Sequence, residues 1–383
     1  MAVISIRSFS RETILLLSGG TLIVLFTVVG FTTNRYLQKR TALAGEWYAR
    51  GDVDLKGKRP RVAIDDFRTA LVYNPENDRY RLHLAEALMA AGNLDEARTY
   101  LLNVRDDDSE DGAVNLALAR LEVRNGDIAD ASRYFQSAIY GRWESAAEGQ
   151  RIQARLEFCR FLLDHNRTAE AQGELMALAG SLPADPSLHT EVGKMFLQAQ
   201  DKQRALDQFR AAIRLDPKRT DALLDAGEIA FQAGDYQTAE RYLGRAVAED
   251  PQLPRARSDL SLARLVLASD PFEPRLSNQE RSARVKQLFD RALVRLEDCA
   301  HILGETLPPS GSPLLDLQEL YARVQQMRPQ VRIATLNRNP DLQTSALDLA
   351  FEVERLAEQR CGAPQGLDEA MLLIANAHPG LEP

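Results

Sequence analysis

The chain is 383 residues long, 45% hydrophobic and 27% charged, with a formal net charge of −8. That acid excess argues against a general nucleic-acid binder, whose surface is normally basic. Three cysteines, Cys159, Cys299 and Cys361, lack CxxC spacing and are odd in number, so neither a disulfide framework nor a zinc cluster follows from them.

After a short tail of residues 1–12, residues 13–34 hold no charged side chain. Those 22 residues, as a helix, span about 33 Å at about 1.5 Å per residue, enough for a bilayer core of about 30 Å. A retained single-pass transmembrane helix is therefore expected. A cleaved signal peptide usually has an apolar region of about 7–15 residues. The small-x-small triplet Ala42-Leu43-Ala44 lies behind Arg35, Lys39 and Arg40, too far from the apolar run to act as its cleavage site. Arg7 and Arg11 precede the segment; Arg35, Lys39, Arg40 and Arg50 follow it, a count that leans toward a cytoplasmic domain beyond it.

From residue 44 a period appears. Residues 186–219 laid over 220–253 match at a spacing of 34: Gly193 on Gly227, Ala205 on Ala239, Phe209 on Leu243, Ala212 on Ala246, Asp216-Pro217 on Asp250-Pro251. A fixed period with small residues at fixed offsets marks one supersecondary unit copied in tandem. Each unit reads as two helices, with the first over 188–199 or 222–233 and the second ending before Asp-Pro, because proline stops a helix. The small position recurs as Ala63, Ala97, Ala131, Ala171, Ala205 and Ala239, and the large one four residues on as Phe67, Leu101, Phe135, Leu175, Phe209 and Leu243. One spacing of 40 places a six-residue insertion near residues 143–149. Six units follow, at 44–77, 78–111, 112–145, 152–185, 186–219 and 220–253. In the first, residues 54–61 bring Gly57, Pro60 and four basic residues into the turn, a lengthened solvated turn or, alternatively, a basic patch for anionic headgroups. Cys159 stands where Gly193 and Gly227 stand later, a small core residue.

This pattern resembles the tetratricopeptide repeat (TPR). The resemblance implies an all-α solenoid of helix–turn–helix units wound into a right-handed superhelix, with the first helices lining a concave groove. It also implies a single-pass protein of the bacterial cytoplasmic membrane; related proteins often place the solenoid outside, so the side stays open.

After residue 253 the period decays. Residues 256–268 look like the first helix of a degenerate seventh hairpin (254–305), whose second helix, Asn278–Leu303, repeats the pattern through Val285, Phe289 and Ala292. Residues 308–313 are a linker by composition. The extension 314–383 offers helices at 314–327, 346–359 and 367–377, as an appendage on the solenoid or as a separate module.

No HExxH, GxSxG, GxxxxGKS/T or GxGxxG occurs, and no histidine pairs with another histidine or a cysteine at metal-ligand spacing; Cys299 and His301, two apart, diverge on a helix. No enzyme, cofactor or metal site is expected. The TPR pattern points the ninth residue of each unit into the groove: Asp52, Glu86, Arg120, Arg160, Lys194 and Glu228. The lysine–asparagine pairing of the family's carboxylate clamp is missing. The expectation is an anchored interaction scaffold whose basic strip, Arg120, Arg160 and Lys194, meets an extended or helical protein segment carrying acidic groups, with Glu86 and Glu228 flanking it. The alternatives are a chaperone or assembly factor for secreted or envelope proteins, and a regulator or enzyme acting through residues 314–383.

Overall fold

The computed structural model describes residues 11–143, 148–307 and 316–378, with side chains from residue 19 onward. Among these every regular element is an α-helix, and the chain divides into two compact units, Met1–Asp164 and His165–Pro383.

The first unit opens on α1 (Arg11–Lys56), which runs without interruption from the apolar segment into the first helix of the first repeat. The junction contains no proline or glycine between Phe31 and Ala44, and Thr32 and Thr41 turn their hydroxyls back to carbonyls one turn earlier, at Val28 (2.9 Å) and Leu37 (3.1 Å). Among the described residues no helix is long and apolar enough to cross a membrane. The expected span falls partly on residues 13–18, whose side chains lie outside the described residues. From Gly19 on, Leu22, Ile23, Val24, Leu25, Phe26, Val28, Val29 and Phe31 are all more than half exposed.

Antiparallel hairpins follow: α1 with α2 (Pro60–Tyr73), α3 (Asp78–Ala91) with α4 (Leu94–Asp107), α5 (Gly112–Asn125) with α6 (Ile128–Tyr140), then α7 (Glu148–Asp164). Gly92 and Gly126 close α3 and α5 in the left-handed conformation (φ 88° and 78°), as those turns require. The basic turn of the first repeat is Gly57–Arg59 alone. Lys56 pairs with Asp52 at 2.6 Å and Arg59 with Asp54. Twenty-two helical steps, about 33 Å, separate Asn34 from Lys56, so this turn sits at the far end of α1 from the apolar segment. The insertion falls on residues 144–147, outside the described residues, and on the added first turn of α7.

The second unit holds α8 (Thr168–Ala179), then α9 (Pro186–Gln198) with α10 (Lys202–Leu215), α11 (Thr220–Gln232) with α12 (Tyr236–Glu249), and α13 (Pro254–Ser269). Asp201 and Asp235 cap the second helices, each accepting the backbone N–H three residues on at 3.0 Å. A Cβ on Gly193 would stand 2.6 Å from the Phe209 ring, and one on Gly227 2.7 Å from Leu243, so these first helices meet their partners closer than any larger residue permits. All six small positions are fully buried and all six large positions are at most 2% exposed; Cys159 is buried with them.

The long helix α14 (Asn278–Leu303) buries Val285, Phe289 and Ala292, and ends as the sequence implies. Against it pack α15 (Asp316–Met327), a single turn α16 (Ile333–Leu336), α17 (Pro340–Cys361) and α18 (Leu367–Ala377). One continuous apolar core joins α11 and α12 to α18. Asn339 caps α17 six residues ahead of the expected start, with Pro340 at its first turn. The proposed linker 308–313 lies outside the described residues. The sequence reading of the cysteines needs correction. Cys299, at the end of α14, and Cys361, the last residue of α17, form a disulfide with Cα atoms 5.5 Å apart.

Candidate functional site

The first helices of the hairpins carry the ninth-position residues. In the first unit these are Asp52 (α1), Glu86 (α3), Arg120 (α5) and Arg160 (α7). Arg120 does not stand free: its Nε and Nη2 donate to Glu157 Oε2 and Oε1, both at 2.8 Å, a two-pronged pair from α5 to α7. Burial would raise the Glu157 carboxyl, but Arg120, helped by Gln153 and Arg160, brings it below the usual range. Glu86 is pushed up by burial, with Arg120 opposing. Beside it, Tyr48 accepts from Arg79 Nε (3.1 Å), and its hydroxyl lies in hydrogen-bond contact with His83 Nδ1 at 2.6 Å. Burial lowers the His83 pKa, and its Nε2 lies 4.0 Å from Glu86.

In the second unit Lys194 (α9) reaches toward Asp221 and Asp225 on α11, 3.8 Å from each. Glu228 (α11) meets Arg255 on α13 at 3.2 Å. Burial pushes the Asp225 carboxyl up to about 6 despite Lys194, with Glu228 and Asp221 adding to the rise, and its Oδ2 accepts no hydrogen bond. Burial also raises Glu228 and Asp259. The ninth position of one repeat is thus tied to the first helix of the next, as Arg120–Glu157, Lys194–Asp225 and Glu228–Arg255.

The other half of this arrangement was legible but unread. Glu157, Glu191, Asp225 and Asp259 stand 34 residues apart, at the sixth position of four successive units. That row of acids was visible to the same alignment that revealed the cations. The second unit's first-helix face carries Glu191, Asp221, Asp225, Glu228 and Asp259 against Lys194, Arg219 and Arg255, an acidic balance. Elsewhere in this unit an open cleft of about 910 Å³ is lined by Arg323, Met327, Leu342, Asp348, Phe351 and His378, among others.

Comparison with known proteins agrees with this architecture. Residues 55–121 match one tetratricopeptide-repeat family model, and residues 160–220, 193–254 and 224–268 match another of the same description. The chain therefore carries tetratricopeptide repeats at those positions. Among curated proteins it is similar to cellulose synthase 1 operon protein C of Komagataeibacter xylinus, 27% identical over 154 residues, which are 38% of this chain and 11% of that protein. Among solved structures it is similar to PilW, a type IV pilus biogenesis factor (19% identity, TM-score 0.41, 57% of this chain and 98% of that one). The C-terminal part of a TPR protein from Cytophaga hutchinsonii matches at 13% identity, TM-score 0.45, over 62% of this chain and 93% of that one.

Proposed function

We propose that this chain is a membrane-anchored, non-enzymatic scaffold that holds a protein partner on the first-helix faces of its repeats. The anchor is residues 13–34, in a bacterial cytoplasmic membrane. What supports it is the exposure of Leu22 to Phe26, five consecutive apolar residues that occupy every side of α1 and are covered by no other element among the described residues. A helix apolar all round calls for a surround that is apolar all round, which lipid supplies.

The observation that carries the binding reading is the half-buried, charged first-helix face, where burial raises Asp225, Glu228 and Asp259 despite Lys194 and Arg255 beside them. An acidic partner would have to displace Glu157 from Arg120 and two aspartates from Lys194. A segment of mixed charge, turning basic groups toward the second unit, fits without that displacement. Envelope clients of a chaperone would meet the same face. A photo-crosslinking residue at Glu191 should capture the partner in native membranes, with capture weakening as salt rises, because exposed charges are screened within about 8 Å at physiological ionic strength. The same residue at exposed Gln237 on α12 should capture nothing. Equal capture at both positions, or capture indifferent to salt, would defeat the reading.

A further inference from the structure

The Cys299–Cys361 disulfide joins residues 62 apart in sequence within the terminal bundle. Cys299 is fully buried. One turn before it, Arg295 donates to the carbonyl of Gly362, the residue after Cys361, at 2.9 Å. The cross-link and this hydrogen bond tie the end of α14 to the end of α17, two helices that already pair along their length.

Forming the bond is a two-electron oxidation. Each thiol gives up one proton and one electron, and an external protein disulfide takes both electrons by exchange and leaves as a dithiol. Such oxidants act in the bacterial periplasm and equivalent compartments, whereas cytosolic reductants keep thiols reduced. α1 leads from the apolar segment into the first repeat as one helix, so a single crossing puts everything after Asn34 on one side. We propose that both repeat units stand on the oxidising side of the membrane, with residues 1–12 on the reducing side; the crossing itself rests on the anchor reading above. This orientation runs against the count of basic residues flanking the segment. That count governs short loops, and a domain of more than 300 residues translocates largely regardless of it.

The test uses the full chain in cells quenched with acid, denatured, and labelled with a polyethylene-glycol maleimide. One adduct, on Cys159, is expected without reductant and three after reduction. Cys299→Ser should give two adducts with or without reductant, because Cys361 loses its partner; labelling in the denatured state makes the result independent of folding. Alkaline phosphatase fused after Pro383 should be active. Three adducts without reductant, or an inactive fusion, would overturn the placement. Alkaline carbonate extraction separates the two readings. A released chain with one adduct and an active fusion removes the anchor and keeps the placement; a retained chain with three adducts keeps the anchor and removes the placement.

Discussion

Between α9 and α12 the buried core holds no charged side chain, and Gly193 and Gly227 let each first helix close onto the Phe209 or Leu243 beside it. Between α14, α17 and α18 the core instead encloses charge. Arg291 donates to both carboxylate oxygens of Asp368, the Nη2 contact at 2.6 Å; Arg295 lies 3.9 Å from Glu354, which is fully buried; and the disulfide stands beside them. The two regions specify their packing differently. A repeat core is written as residue types at fixed offsets and can be copied. The terminal core is written once, in partners 77 and 62 residues apart, and a unit that cannot be copied ends the stack.

The sharpest way to break the repeat side of that contrast is Gly227→Trp. Overpacking a close helix crossing costs about 1–3 kcal/mol, and an indole at a site where even a methyl group would stand 2.7 Å from Leu243 should exceed that range. Gln237→Trp, at an exposed site one residue after Tyr236, should stay within about 0.5 kcal/mol. Equal melting temperatures for the two variants, followed by circular dichroism, would mean that the repeat register is misplaced.

The terminal side is probed by pH. Burial, with Asp368 adding to it and the arginines opposing, raises the Glu354 carboxyl from 4.5 to about 8, and neither of its oxygens accepts a hydrogen bond. Between those values the folded chain holds a proton that the unfolded chain has released. The stability tied to that proton is whole below about 4.5 and is lost as pH rises through about 8, at up to about 1.4 kcal/mol per pH unit. Asp225 has largely completed its own titration by about pH 7, which leaves roughly pH 7–8 as the window for Glu354, above which the fall levels off. Wild-type melting temperatures should fall across that window, and Glu354→Gln, which mimics the protonated acid, should flatten the fall. A wild-type protein with no such slope would place Glu354 in water.

The same contrast explains what could be read in advance. Ala63 through Ala239 and Phe67 through Leu243 announced their burial, because a repeated packing rule leaves a repeated residue. Helix α14 was legible to both ends, since its capping Ser277 and Glu280 and its closing Gly304 are local signals. The disulfide and the Arg291–Asp368 pair were not, because nothing near Cys299 in sequence points to Cys361 and nothing near Arg291 points to Asp368. The first six residues of α17 did carry a local signal, Asn339 as cap with Pro340 in the first turn. On the first-helix face the cations were legible as a column. The partners of Arg120 and Lys194 were missed because each belongs to the next unit's column.

The smallest effect concerns that face. Arg120 and Glu157 form a well-aligned pair, yet the arginine side chain is 41% exposed and the carboxylate 21%. Water therefore weakens the attraction, unlike that at Asp368, which is 4% exposed. A pair of this kind couples by about 0.2–1 kcal/mol, and the two-pronged geometry favours the upper end. A double-mutant cycle of Arg120→Ala and Glu157→Ala, measured by denaturant unfolding, should return such a coupling at low salt and lose most of it near 1 M, where the screening length is about 3 Å. The single Glu157→Ala variant carries the functional consequence. It frees Arg120 on the first-helix face, so an acidic peptide that the wild-type chain ignores should bind the variant. A coupling above about 3 kcal/mol that salt leaves untouched would mean the pair behaves as a buried one, and the face between α5 and α7 would then belong to the core instead of to a partner.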